Sequence, residues 1–177
     1  MRKGEWKILK EQIEKALNDQ INAEIFSAYL YLSISSSFSE MNFSGFAQWM
    51  KVQATEEMVH AMKIYDFIIE RGGRVTLTQI DSPEMVWESP LEAFEAAYKH
   101  EQYITGRIND LMDIAIEEKD HASNIFLQWF VTEQVEEEAS ADEIVQKLKL
   151  VGNQGNAIFM LDQELGVRAF TMPASGK

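Results

Sequence analysis

The stretch FAQWMKVQATEEMVHAMKIYDFIIER, residues 46–71, decides the fold. Steps of four and three residues from Phe46 pick out Met50, Gln53, Glu57, His60, Ile64 and Phe67, the inward stripe of a long amphipathic helix. The stripe is apolar at both ends and polar in the middle. A carboxylate and an imidazole stand where Leu or Ile would be expected, and burying them unpaired would cost on the order of several kcal/mol. Glu57 and His60 lie three apart on one helix face. A bound metal is one remedy for their burial, and a mutual hydrogen bond is another.

The flanking chain repeats the pattern. Three prolines, Pro83, Pro90 and Pro173, interrupt long tracts of helical periodicity, which predicts an all-α protein. The first helix, over about 8–37, carries the stripe Leu17, Ile21, Glu24, Ala28, Tyr31 and Ser35. A short connection, Ser39 to Ser44 with Asn42 and then Gly45, makes it an antiparallel neighbour of the helix at about 45–71, which Gly72 and Gly73 end. Arg74 to Ser89 has no helical pattern and contains Pro83. Extended at about 3.3 Å per residue it spans about 50 Å, against about 39 Å for the preceding helix, so it can traverse a bundle and let helices two and three run parallel.

Ser89 and Pro90 open a third helix, about 90–118, with stripe Phe94, Ala97, Glu101, Ile104, Ile108, Leu111 and Ala115. The fourth, about 121–151, reads Leu127, Phe130, Gln134, Glu137, Ala141, Ile144, Leu148 and Val151. A short amphipathic helix at about 155–167 presents Ile158, Leu161 and Leu165; it is too short to stand alone in water, so it should dock on its own bundle or on a neighbouring subunit. The tail, 171–177, has the composition of a frayed end. The whole is a single domain, a four-helix bundle with a long crossover between helices two and three.

Composition narrows the function. A chain of 177 residues can bury a core without staples, and the absence of Cys removes disulfides and thiolate metal sites and suits the cytoplasm. The first ten residues contain no apolar run of the length a secretion signal or a membrane span needs. A net charge of -13 with dispersed basic residues disfavours nucleic acid and anionic membrane surfaces as partners.

Each of the four stripes is broken near its middle by a Glu: Glu24, Glu57, Glu101 and Glu137. Four carboxylates would balance two divalent cations. With His60 as the single nitrogen ligand, the set is oxygen-rich and suits iron or manganese more than structural zinc. The alternative, four Glu on outer faces, requires the same displacement of four independent stripes.

With these residues in view the chain resembles the ferritins, of the haem-free bacterial and archaeal kind. Ferritin-like di-iron proteins take a Glu from each of two helices and a Glu-x-x-His from each of the other two. Glu24, Glu101 and Glu57-x-x-His60 match that pattern, while helix four carries Gln134-x-x-Glu137 instead. This departure resembles the ferritin ferroxidase centre and not the bacterioferritins; no haem is expected, although Met58 stands where bacterioferritins use a methionine for haem. The resemblance spans residues 12–168.

It implies that Glu24, Glu57 and His60 hold a first iron, that Glu57 bridges, and that Glu101 and Glu137 hold a second with Gln134 as a hydrogen-bonding partner. Tyr31 matches the family's tyrosine beside the centre. Trp129 matches a nearby aromatic, but core packing is the better explanation of its place. Glu56, Glu133 and Glu136 resemble a third iron site, with a solvated acidic face as the alternative. His100 and His121 fall off the stripes and are read as surface or inter-helix residues. The implied function is iron storage: a ferroxidase subunit that oxidises Fe(II) with O2 or hydrogen peroxide and self-assembles into a homo-oligomeric shell of 24 subunits. A di-iron or di-manganese enzyme acting on an organic substrate, and a purely structural or DNA-protecting bundle, are the rivals; the second would need a basic arm or no buried carboxylates.

Overall fold

The computed structural model describes residues 9–171. Four long helices, α1 (Glu11–Glu40), α2 (Ser44–Glu70), α3 (Pro90–Glu117) and α4 (His121–Val151), are followed by a short α5 (Gly155–Leu165), with no strand among the described residues. α1 packs chiefly on α2 and α3 on α4, and α5 lies against the start of α2. The frayed tail expected at 171–177 falls outside the described residues except for Thr171, as does the expected helix start at residue 8.

The ends of the helices follow local chemistry. α1 begins at Glu11, with Glu11 and Glu14 complementing the positive end of its dipole, and runs three residues past the expected stop. Asn42, at φ 66°, turns the chain there, and the Phe43 N–H bonds back to the Phe38 carbonyl. The connection is thus Met41–Phe43, and Gly45 belongs to the first turn of α2. Ser89 caps α3 by accepting the Glu92 N–H at 3.2 Å, with Pro90 in the first turn. Asp120 caps α4 by accepting the Ser123 N–H at 3.1 Å, and its two oxygens are gripped by Arg71 at 3.0 and 3.1 Å.

The crossover is extended as expected and is stitched along α1. Asn18 accepts the Thr76 N–H at 2.6 Å and donates to the Arg74 carbonyl; Asn22 donates to Thr78 and Gln79; Ser33 donates to the Glu84 carbonyl. It therefore carries the chain from the end of α2 back to the other end of α1, and α3 starts parallel to α2.

The predicted stripes are the buried faces, with drift at their ends. Phe67 and Val151 are half-buried, and Ile68 takes the core place expected for Phe67. Alternating steps of four and three average 3.5 residues per turn, whereas a straight helix has 3.6, so a stripe counted that way slips by about 20° per heptad. The apolar interior forms two clusters. One gathers Tyr31, Phe38, Phe46, Met50, Phe94 and Leu148; the other gathers Leu17, Ile21, Ile64, Ile108, Leu127 and Phe130. Between them lies a polar layer.

Candidate metal centre

That layer is built by one turn from each long helix. Glu24, Glu57, His60, Glu101, Gln134 and Glu137 are all buried, none more than 8% exposed. His60 Nδ1 lies 3.5 Å from Glu57 Oε2 and 3.9 Å from Glu24 Oε2. Ligand-capable atoms of Glu24, Glu57 and His60 all lie within 4.8 Å of one another, and so do those of Glu57, Glu101 and Glu137. Glu57 belongs to both groups. It is the residue expected from sequence to bridge.

The rest of the layer supplies hydrogen bonds. The Tyr31 hydroxyl donates to Glu101 Oε1, and Gln134 Nε2 donates to Glu101 Oε2 at 3.3 Å and to Thr105 at 3.3 Å. Gln53 Nε2 donates to Glu137 Oε2 and, at 3.4 Å, to Glu57 Oε1. Gln20, fully buried, donates to Glu24 Oε1 at 2.8 Å. Two of the buried atoms without a hydrogen-bond partner lie in this layer, Glu24 Oε2 and His60 Nε2. Buried polar atoms are normally paired. An orphaned carboxylate oxygen beside a second carboxylate, Glu57, and the His60 imidazole suits a divalent cation.

Electrostatics point the same way. Burial, reinforced by neighbouring carboxylates, holds Glu57 and Glu137 well above the usual carboxylate range, and burial lifts Glu101 to about 7. Burial and the Glu101 charge likewise hold the Tyr31 hydroxyl firmly protonated. The carboxylates of the layer thus resist ionising together, and a cation would relieve them.

The remaining expected site residues divide. Glu133 comes within reach of His60 and Glu137. Glu56 is ion-paired with Arg168 at 2.5 Å; its burial raises its pKa and the guanidinium opposes the rise. Glu136 is exposed and, among the described residues, joins no ligand-like group. Trp129 stands edge-on to the His60 ring at 5.3 Å and packs with the apolar cluster of Leu17, Ile64 and Phe130. Met58 lies on the outer face, 42% exposed, in a groove of about 480 Å³. His100 sits between helices against Ser27 at 2.8 Å, neutral because burial lowers its pKa to about 4, while His121 is exposed.

Sequence reasoning missed Gln20, Arg107 and Arg168. Gln20 left a trace, one turn before Glu24 just as Gln53 is one turn before Glu57. The arginines left none, since they reach the layer only through tertiary packing.

The chain is similar to known proteins over most of its length. The family model described as Ferritin-like domain matches residues 14–151. A bacterial non-heme ferritin from Bacteroides fragilis is 47% identical over 161 residues, covering 91% of this chain and 100% of that one. One from Campylobacter jejuni is 41% identical, covering 88% and 93%. Among solved structures, an engineered closed form of the Archaeoglobus fulgidus ferritin superimposes with TM-score 0.91 at 54% identity, covering 92% of this chain and 99% of that one. The open pore ferritin of the same organism gives 0.90 at 53%, covering 91% and 99%.

Proposed function

The chain belongs to the ferritin family and is an iron-storage subunit, and we propose that it acts as a ferroxidase at the layer around Glu57. The sharing of Glu57 by two ligand groups carries this reading, because a carboxylate common to both would hold two cations at bridging separation. Glu24 and His60 complete the first place for Fe(II), Glu101 and Glu137 the second. Each Fe(II) gives up one electron, so a pair supplies the two electrons that convert O2 to hydrogen peroxide, or peroxide to water. Tyr31 and Gln134 hold Glu101 by both its oxygens, keeping its plane fixed while charge changes nearby. The oxidised iron then leaves for storage as Fe(III) mineral.

Storage needs a hollow, and the subunit's outer apolar residues support self-assembly into a shell, of 24 copies in the family reading. Leu150, Phe159, Met160 and Val167 are exposed near α5, and Tyr29, Leu32, Met58 and Met62 on the α1–α2 face. Such a shell would work in the cytoplasm; no described helix is long and apolar enough to cross a membrane. Glu133, near His60 and Glu137, is the member of the expected third-site trio best placed to receive iron from the pair.

Aerobic Fe(II) addition followed by sizing chromatography tests the proposal. The parent should oxidise iron rapidly and carry hundreds of irons in one large particle. Glu57→Ala and His60→Ala should assemble yet lose the fast phase. Unchanged initial rates in both variants would sink the centre.

A further inference from the structure

Two of the three glutamines of the polar layer, Gln20 and Gln53, are each held from behind by an arginine. Arg107, on α3, donates from Nε to Gln20 Oε1 at 2.9 Å, and Gln20 donates onward to Glu24 Oε1. Arg168, in the segment after α5, donates from Nη1 to Gln53 Oε1 at 2.7 Å, and Gln53 donates onward to Glu137 Oε2. A primary amide has one accepting and one donating end, and a guanidinium only donates. An arginine on the amide oxygen therefore forces the NH2 toward the carboxylate. A flipped amide would set oxygen against oxygen.

We propose that Arg107 and Arg168 are positioning residues that act through Gln20 and Gln53, fixing the rotation of Glu24 and of Glu137 before a cation arrives. With Oε1 of Glu24 tied to Gln20, its unpartnered Oε2 is the oxygen left facing His60. The two arms end on different carboxylates: Glu24 groups with Glu57 and His60, and Glu137 with Glu57 and Glu101 and also with His60 and Glu133, while Gln53 reaches the shared Glu57 only by a longer bond of 3.4 Å. They also differ in what supports them. Arg107 is anchored within the bundle by the Asp19 carbonyl at 2.9 Å. Arg168 is anchored by Glu56 at 2.5 Å and by the Trp49 ring, 4.4 Å away, and it arrives there only because α5 is docked. One half of the centre is thus aligned by the bundle itself and the other half by the C-terminal segment.

This inference rests on the two-cation reading, and anaerobic Co(II) binding separates the two. Calorimetry on the assembled protein gives affinities, and anomalous diffraction from crystals soaked at limiting Co(II) shows which position empties. The parent should bind two Co(II) per subunit. Arg168→Ala should weaken the Glu101/Glu137 position by about tenfold and the other, reached only through the longer Gln53–Glu57 bond, by less, and Arg107→Ala should do the reverse, in line with the usual effect of removing a partner of a metal ligand. Gln53→Met, close in size but without the amide, should reproduce Arg168→Ala, and the double variant should lose no more than either single one. Equal weakening of both positions by each arginine variant, or parental affinities throughout, would overturn the inference. A parent that binds no Co(II) pair would overturn the two-cation reading first, and the inference with it.

Discussion

The Asp162 carboxylate on α5 accepts the Phe46 N–H of α2 at 2.8 Å, so the central helix is capped by a residue 116 positions later in the chain. α2 has no capping side chain of its own at Phe43. Gly45 makes the contact feasible, because a Cβ there would fall 1.7 Å from the Asp162 carbonyl oxygen. Asp162→Ala should cost about 1 kcal/mol per subunit, a fall of about 3 °C in melting temperature. Gly45→Ala should cost more, because it expels α5 altogether. Differential scanning calorimetry of both variants checks the order; an unchanged midpoint for Gly45→Ala would contradict the docking described.

The empty centre should make stability depend on pH with a definite sign. Glu101 has a folded pKa near 7, above its ordinary value of 4.5, and Glu57 and Glu137 are raised too. Between those pH values the folded chain keeps a proton that the unfolded chain has released. Stability is fully present below the ordinary carboxylate range and is lost as pH rises through 7. The metal-free protein should therefore melt at a lower temperature at pH 8 than at pH 5.5, and Glu101→Gln should flatten the slope. Binding of Co(II) near pH 6.5 should release protons into a weakly buffered solution. No release there would mean that the carboxylates are already ionised.

Tyr31→Phe keeps the buried ring and removes only the donor to Glu101. The subunit should assemble normally, while the affinity for the second cation falls by about tenfold. Parental affinity would reduce Tyr31 to packing.

Glu57 and Glu24 should behave differently on removal. Glu57→Ala takes a ligand from both groups, so both cation positions should weaken by at least about tenfold, whereas Glu24→Ala should weaken one. Counting bound Co(II) per subunit distinguishes them; identical stoichiometry in the two variants would deny Glu57 its bridging place.

Asp120 joins two elements, capping α4 and holding Arg71 at the end of α2. Despite the opposing effect of burial, its hydrogen bonds and the guanidinium lower its pKa, so its contribution is present above the ordinary Asp range and lost as pH falls through the lowered value. Asp120→Ala should destabilise by about 2 kcal/mol at pH 7, and the difference from the parent should shrink in acid. A constant difference down to pH 3 would argue against the ion pair.

The helices and their buried carboxylates were legible because an interrupted apolar stripe is a local pattern. Glu24, Glu57, Glu101 and Glu137 each break a run that otherwise specifies burial, and the structure buries all four. What surrounds them was not legible. Arg168 follows the last helix in a segment with no periodicity, and Arg107 reads as an ordinary exposed base until α3 is packed on α1. Among the described residues the expected trio of Glu56, Glu133 and Glu136 does not form one ligand group, for a similar reason. Spacing puts Glu133 and Glu136 on adjoining faces, but it carries no sign that Arg168 would claim Glu56.

The division of the apolar interior into two clusters has a mechanical consequence. Each end of the bundle coheres through its own side chains, and the ends meet across a layer whose carboxylates repel one another when empty. Two cations held there would lash the four helices together at mid-length, turning the weakest cross-section into the stiffest. Backbone amides between Ala54 and Ala61 should then exchange hydrogen more slowly in the loaded protein than in the empty one, so the cargo in transit braces the wall that it passes through.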